Sequence, residues 1–302
     1  MQDVFRLIEA DYFHQQDAIH GVRQTVFVQG QGIDPTLEAD ADDASALHVL
    51  ALSDGDQPIG TGRLTRDGRI GRMSVLAHWR NRGVGQAMLE WLCEQARQRG
   101  QGRIELHAQL PAVPLYARHG FIPMGGPHEE AGLIHQAMRR RLDGAMDIQT
   151  PAAAAAALAS VIHNTGRELC LISPLLDPGL LDQPLVLDAL RGLAARRAPK
   201  LVRLLVDDPL AIARQDGAIL ALIQRLPGTF QVRQRDPDSL PPGRSDALAL
   251  NDRGWWLQRA DAQMPTGRAG LSWRPGARAL HDHFARQWAS SSPCDALRPL
   301  AL

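Results

Sequence analysis

Val75-Leu76-Ala77-His78-Trp79-Arg80-Asn81-Arg82-Gly83-Val84-Gly85-Gln86 reads as a strand that runs through a glycine-bearing turn into a helix. Upstream, IGRMSVL (70–76) has the composition of a strand. Downstream, residues 84–99 place Val84, Met88, Trp91 and Leu92 on one helical face. Gly83 and Gly85 lack Cβ, so the backbone there can take unusual dihedrals and approach a ligand closely. The first amides of a helix have no internal partner and carry the positive end of its dipole. Arg80 and Arg82 add full charges beside them, and the combination suits a pyrophosphate. The segment has neither a G-K-[ST] ending nor a G-x-G-x-x-G run, which sets it apart from the two commonest phosphate loops. An ordinary glycine turn between strand and helix is the competing reading.

Outward from that corner, helices alternate with strands. Residues 14–29 read as a helix with Ile19, Val22, Val26 and Phe27 at helical spacing, followed by the acidic loop QGIDPTLEADADDAS (31–45). LHVLALS and PIGTGRLT are short β-type runs parted by the turn signal DGDQP. After the central helix come a strand (RIELHAQ), a short helix around PLYARH and a closing strand near LIHQAMR. Strands on both sides of a central helix imply a mixed sheet with helices on it, an α/β fold. RRRLDGAMDIQTPAAAAAAL marks a break, with Pro151 suited to a first helical turn. The spacing therefore predicts one domain over 1–144, a linker at 145–150 and a second domain over 151–302.

Arg80-x-x-Gly83-x-Gly85 is similar to the [RQ]-x-x-G-x-[GA] signature of the GCN5-related N-acetyltransferases (GNAT superfamily). HAQLPAVPLYARHGF resembles their second segment, where a strand ends and a short helix carries a tyrosine before a Gly-Phe pair. VRQTVFVQGQGIDPTLEADADD and LHVLA resemble the ElaA-like branch, so the likeness covers about residues 5–142. Gly30 departs from it, standing where the branch carries an acidic residue before its glutamine, which bears on acceptor choice.

The resemblance implies acetyl-CoA as co-substrate, with no metal, and direct transfer to an amine in a ternary complex. Met73, Ser74 and Val75 would pair with the pantetheine arm, a bulge there freeing an amide for the thioester oxygen. Arg80, Asn81, Arg82, Gly83, Val84, Gly85 and Gln86 would hold the pyrophosphate. Tyr116 would be the general acid toward the CoA sulfur, against the alternative of a packing tyrosine. His107 and Gln109, two apart on a strand, share a face; His107 is the candidate base and Gln109 a further cofactor contact. Glu38, Asp40, Asp42 and Asp43 either attract a cationic acceptor or form a solvated face. His135 matches a histidine of the branch and is equally readable as structural. Cys93, in the acidic context EWLCEQA, reads as semi-buried rather than nucleophilic.

The second half alternates helix and strand as a further three-layer α/β unit. Its order, the RLLVDD strand and the closing F-x-x-x-W helix resemble a phospholipase-D-like domain. That family works with H-x-K-x-x-x-x-D; with Asp252 as the aspartate, Ser245 and Ala247 occupy the histidine and lysine positions, so the resemblance implies a non-catalytic unit. It is either a binding module, with Arg233, Arg235 and Arg244 in a basic cleft, or a structural one. Pairing of such units implies a homodimer as one arrangement. His281 and His283, two apart on a helix, point to different faces and cannot chelate together.

Composition narrows the field. Lys+Arg and Asp+Glu both total 33 in 302 residues, so no global charge draws the chain to nucleic acid. Residues 1–144 carry 15 basic and 18 acidic side chains and the remainder 18 and 15, a small asymmetry. No apolar run reaches the roughly 20 residues of a membrane span. The N-terminus lacks a signal-peptide pattern, and Cys93, Cys170 and Cys294 suggest neither disulfides nor zinc, which fits a reducing, cytoplasmic setting. The expectation is an N-acetyltransferase acting on a small-molecule or peptide amine. The alternatives are a catalytically silent CoA-binding sensor or interaction protein, and a nucleic-acid-modifying acetyltransferase.

Overall fold

The computed structural model describes residues 4–198, 200–237, 245–271 and 275–297. They divide into two compact units, Met1–Leu115 with Met124–Asp143, and Tyr116–Pro123 with Gly144–Leu302.

In the first unit, β1 (Phe5–Ala10), β2 (Leu47–Ser53), β3 (Pro58–Leu64) and β4 (Ile70–Val75) form an antiparallel sheet in that order. α1 (Tyr12–Arg23) runs into a π-helical stretch (Gln24–Gln29). α2 (Val84–Gln98) buries Val84, Met88, Leu89, Leu92, Cys93 and Ala96 on one stripe and packs on β3, while Trp91, expected on that face, is half-buried. β5 (Arg103–Gln109), followed by α3 (Val113–Arg118), belongs to a second small sheet. β6 (Ile122–Pro123) follows in the chain, then β7 (His128–Glu130) and β8 (Leu133–Arg141), with β8 antiparallel to both β5 and β7.

A close approach in this unit joins β4 to β5 at one end. Glu105 donates its N–H to the Gly68 carbonyl at 3.0 Å, and Arg69 bridges Glu105 in parallel. A Cβ on Gly68, whose φ is +89°, would stand 2.8 Å from the Arg103 carbonyl, so only glycine permits this approach. Beyond that bridge no ladder pair joins β4 to β5 among the described residues. The two strands are pinned at one end, and among the described residues their facing edges beyond it are unpaired.

In the second unit an eight-stranded sheet has the order β16-β12-β11-β10-β13-β14-β15-β9. Its strands are β9 (Met146–Ile148), β10 (Glu168–Ile172), β11 (Leu201–Val206), β12 (Phe230–Gln234), β13 (Ala247–Asn251), β14 (Trp256–Arg259), β15 (Gly267–Gly270) and β16 (Ser292–Pro293). β10, β11 and β12 are mutually parallel, and the remaining pairings are antiparallel. The helices are α4 (Pro151–His163), α5 (Pro178–Leu181), α6 (Pro184–Ala194), α7 (Pro209–Ala213), α8 (Ala218–Arg225) and α9 (Ala277–Ser290). α4 begins as its sequence dictates: Thr150 caps it by accepting the Ala153 N–H at 3.2 Å, and Pro151 fills the first turn. Its alanines Ala153–Ala159 are all buried, so the run is a core helix and no spacer.

Two expectations about the chain's division need correction. Met146–Ile148, placed in a linker from sequence, is an edge strand paired with β15, its Met146 and Ile148 buried and Asp147 outward. Tyr116–Pro123, expected within the first domain, groups with the second unit, where the Asn164 side-chain amide donates to the Arg118 carbonyl at 2.8 Å.

Candidate functional site

The strand-to-helix corner is built as its residue types require. Register along β3 and β4 shifts between Thr61 and Arg63, and Arg72 opposite takes φ +54°, which marks a bulge just before Met73. Met73, Ser74 and Val75 follow it on the edge that faces the parted β5. Ser74 and Val75 pair with Thr61 and Gly60 on the other side. Met73 lies against Gly62, where a Cβ would come within 2.5 Å of its sulfur.

Past Val75 the chain turns through Ala77–Trp79, and Asn81 and Gly83 both adopt positive φ, +60° and +86°. Gly83 is the N-cap of α2 and offers no capping side chain. The first bond of the helix runs from the Ala87 N–H to the Gly83 carbonyl at 2.9 Å, so the amides of Val84, Gly85 and Gln86 lie ahead of it. Nothing lies within 4 Å of the place a Gly83 Cβ would occupy, while one on Gly85 would touch Val75 at 3.7 Å. Among the described residues no side chain caps these amides, and the space at Gly83 is open, an arrangement suited to a pyrophosphate.

The side chains around the corner have distinct tasks. Arg80 turns back on the strand, its Nε donating to the Val75 carbonyl at 3.1 Å. The Arg82 guanidinium stacks 5.4 Å over the Trp79 ring. The Gln86 side chain donates along the helix to Glu90, and Val84 is buried, so these two offer backbone amides to a ligand.

His107 and Gln109 share one face of β5, as their spacing predicts. Gln109 exchanges amide hydrogen bonds with Gln31, just past the π-helical stretch, at 3.1 and 3.5 Å. His107 Nδ1 lies 2.8 Å from Glu130 Oε2. A carboxylate only accepts, so Nδ1 carries a proton, and in the neutral ring Nε2 holds the lone pair. The His107 hydrogen bond, aided by the nearby His135 and His128, holds the Glu130 carboxyl below its ordinary range and therefore ionised. Sequence reading missed Glu130, His128 and Gln31. The alternation H-x-E at 128–130, opposite a strand carrying His135, was the available signal for the first two.

Tyr116, on α3, is buried with its ring edge-on to Phe121, and burial pushes its phenol up to about 12. It keeps its proton at any physiological pH. Cys93 is buried and burial raises its thiol, in keeping with a packing role.

The acidic loop is neither a solvated face nor a lure for cations. Asp43 and Arg23 are buried and paired at 2.9 Å, and Arg63 bridges Asp43 and Asp40 at 2.6 Å to each. Arg72 joins Asp40 at 2.8 Å, and His20 meets Glu38 at 2.7 Å. The Arg63 hydrogen bonds hold Asp40 well below the usual carboxylate range; burial alone would raise Asp43, but Arg23 and Arg63 outweigh it. Glu38, Asp40 and Asp43 are occupied in stitching the loop to α1, β3 and β4, leaving Asp42 exposed.

In the second unit, among the described residues, Arg233 and Arg235 are engaged by neighbouring groups of the chain rather than lining a basic cleft. Arg235, 1% exposed, is gripped by Asp207 at 2.5 and 2.8 Å and by Asp246 at 3.1 Å. Arg233 lies over the Trp288 ring at 5.3 Å and donates to the Ser291 carbonyl. Arg244 lies outside the described residues. Asp252 accepts the Gly166 and Arg167 amides at 2.8 and 2.7 Å, so it clamps a turn. His281 and His283 have separate partners, the Asn251 carbonyl and Asp246. No described helix is long and apolar enough to cross a membrane.

Comparison with known proteins assigns a family to each half of the chain. Residues 16–142 match the acetyltransferase (GNAT) domain, and residues 149–300 match a domain of unknown function, DUF7931. YjcF of Bacillus subtilis, described as an uncharacterized N-acetyltransferase, is 33% identical over 124 residues, which cover 37% of this chain and 87% of YjcF. Among solved structures, Escherichia coli ElaA is 26% identical, covering 46% of this chain and all of ElaA (TM-score 0.42). An acyl-CoA N-acyltransferase from Pseudomonas aeruginosa is 25% identical over 45% of this chain and 99% of its own (TM-score 0.41). The chain belongs to the GNAT acetyltransferases as an N-acetyltransferase, and its C-terminal half belongs to the DUF7931 family.

Proposed function

We propose that the chain transfers the acetyl group of acetyl-CoA directly to a primary amine of a small molecule or peptide. The observation that carries this is the corner itself: three uncapped amides at Val84–Gln86, a bare Gly83, and two arginines beside a parted strand edge. The pyrophosphate would lie on those amides, and the pantetheine arm would take the place of the missing ladder along Met73–Val75. The bulge at Arg72–Met73 would free a backbone N–H for the thioester oxygen, where charge develops as the amine attacks.

Acetyl-CoA supplies the activated acyl group and the thiolate leaving group. His107 takes the proton released by the attacking amine at Nε2, with Glu130 holding the ring in that tautomer. Tyr116 gives its proton to the departing sulfur and regains one from solvent; its chemistry supports this, since burial keeps the phenol protonated. No nucleophile is needed to carry the acyl group, and buried Cys93 offers none. The acceptor is recognised by its amine and its shape rather than by the acidic loop, whose charges are paired internally.

The second unit is proposed to act structurally. Its motif-position residues Ser245 and Ala247 supply neither nucleophile nor phosphate-binding cation, and Asp252 is engaged by backbone.

Calorimetric titration with acetyl-CoA, paired with thiol release against a panel of amines, tests the reading. Saturable binding and amine-dependent release of one thiol per acetyl group are expected. Absence of binding at about 1 mM acetyl-CoA, where even a weak site is half filled, sinks it.

A further inference from the structure

His107, His128 and Glu130 converge on one face of the small sheet, their ligand atoms all within 4.8 Å of one another. Glu130 Oε2 is the focus: His107 Nδ1 stands 2.8 Å from it and His128 Nε2 3.8 Å. The two rings pack edge to face at 4.8 Å. Cross-strand register sets this up, because His128 pairs with His135 on β8 and His135 pairs in turn with Gln109 on β5. His135 lies beside His128, ring centroids 6.4 Å apart, and its Nδ1 donates to the Leu133 carbonyl at 3.0 Å. That bond fixes a proton on Nδ1, so the neutral ring presents its Nε2 lone pair, the arrangement by which backbone carbonyls orient metal-binding imidazoles. Arg139, the nearest cation along this face of β8, is neutralised by Glu105 at 2.8 Å.

We infer that His107, His128 and Glu130, with His135 as fourth ligand, form a binding site for a divalent cation of the zinc class. Imidazole and carboxylate donors suit such an ion, which binds them at about 2.0–2.2 Å in tetrahedral geometry. That places ligand atoms about 3.4 Å apart. Rotation of side chains that are partly exposed closes the remaining distance. The ion takes the position of the proton now shared by His107 and Glu130. Coordination through Nδ1 moves the ring's proton to Nε2, the atom assigned above to take the acceptor's proton. A filled site is therefore an off state of the transferase, a consequence that rests on the proposed role of His107.

The test uses the full chain without an affinity tag. Zinc sulfate is titrated by chelator competition with no acetyl-CoA present, and histidine side-chain NMR signals are followed in parallel. One ion per chain is expected with a Kd of about 1 µM or tighter, with shifts at His107, His128 and His135. His128→Asn and, separately, His135→Asn weaken binding about tenfold or more while circular dichroism stays unchanged. Stoichiometric binding that both variants retain at wild-type strength overturns the site, as does no saturation below about 1 mM. Acetyl transfer is then measured with and without zinc. Loss of rate in wild type, with the His128→Asn enzyme indifferent to zinc, supports the off state. Bound zinc with an undiminished rate overturns the off state and the role of His107, and leaves the site standing. A chain that transfers no acetyl group at all refutes the functional reading without touching the binding result.

Discussion

Replacing Gly83 by aspartate should separate an anion-binding corner from an ordinary turn. The position has φ +86° and no atom within 4 Å of where a Cβ would sit, so the new side chain enters without a clash. An aspartate there gains at most a few tenths of a kcal/mol over glycine as a cap and incurs a left-handed penalty of about 1 kcal/mol, so thermal stability should fall modestly, and equally in the control below. Gly83→Asn has the same size, cap and backbone demand without the charge. A carboxylate about 5 Å from the nearest phosphate charge is repelled by about 3 kcal/mol at an effective dielectric constant near 20. Screening at a Debye length of about 8 Å reduces this to about 1.8 kcal/mol. Acetyl-CoA should therefore bind the aspartate variant roughly 20-fold more weakly than the asparagine variant, a gap that narrows as salt rises. Calorimetry at about 0.15 M salt reads both constants. Agreement between the two variants within about threefold, about 0.65 kcal/mol, would refute the assignment.

Three other outcomes follow from contacts already named. Tyr116→Phe keeps the buried ring and its contact with Phe121, so the fold should persist while kcat falls about 100-fold and the KM for acetyl-CoA stays put; an unchanged kcat removes Tyr116 from the chemistry. Asp43→Ala strips the buried Arg23 of its closest counter-ion and should cost about 3–5 kcal/mol in denaturant unfolding, against less than about 1 kcal/mol for the exposed Asp42→Ala. His163 is held down to about 4 by burial and by Arg118, Arg196 and His119. The unfolded chain protonates it near 6.5, so its contribution is complete above that pH and drains away as pH falls toward about 4. His163→Gln should flatten the fall of the denaturant midpoint across that window, and an identical slope would contradict the assignment.

What could be read in advance was local chemistry. The strand, turn and helix around Gly83 are specified within a dozen residues, and the stripe Val84–Met88–Leu92 announces its own burial. The parting of β4 from β5 was not legible, because it depends on Gly68 meeting Arg103 across 35 positions of chain. β1 was passed over for a related reason: Phe5–Ala10 is an edge strand with weak alternation, and β2 supplies its only pairing among the described residues. The acidic loop misled because its partners Arg23, Arg63 and Arg72 stand on other elements, and arginine is too common here to single them out. His128 and Glu130 join His107 only through strand register, which composition does not reveal.

The π-helical stretch Gln24–Gln29 holds one more residue per turn than an α-helix would. Excising a single residue there would let it relax to the ordinary pitch and swing Gly30 and Gln31 by about 100°. Gln31 would then face away from Gln109, and the wall beside the histidine face would be redrawn with no substitution at all. Under the proposed function, length variation in these six residues would reshape the wall beside the histidine face while leaving the Gly83 corner as it is.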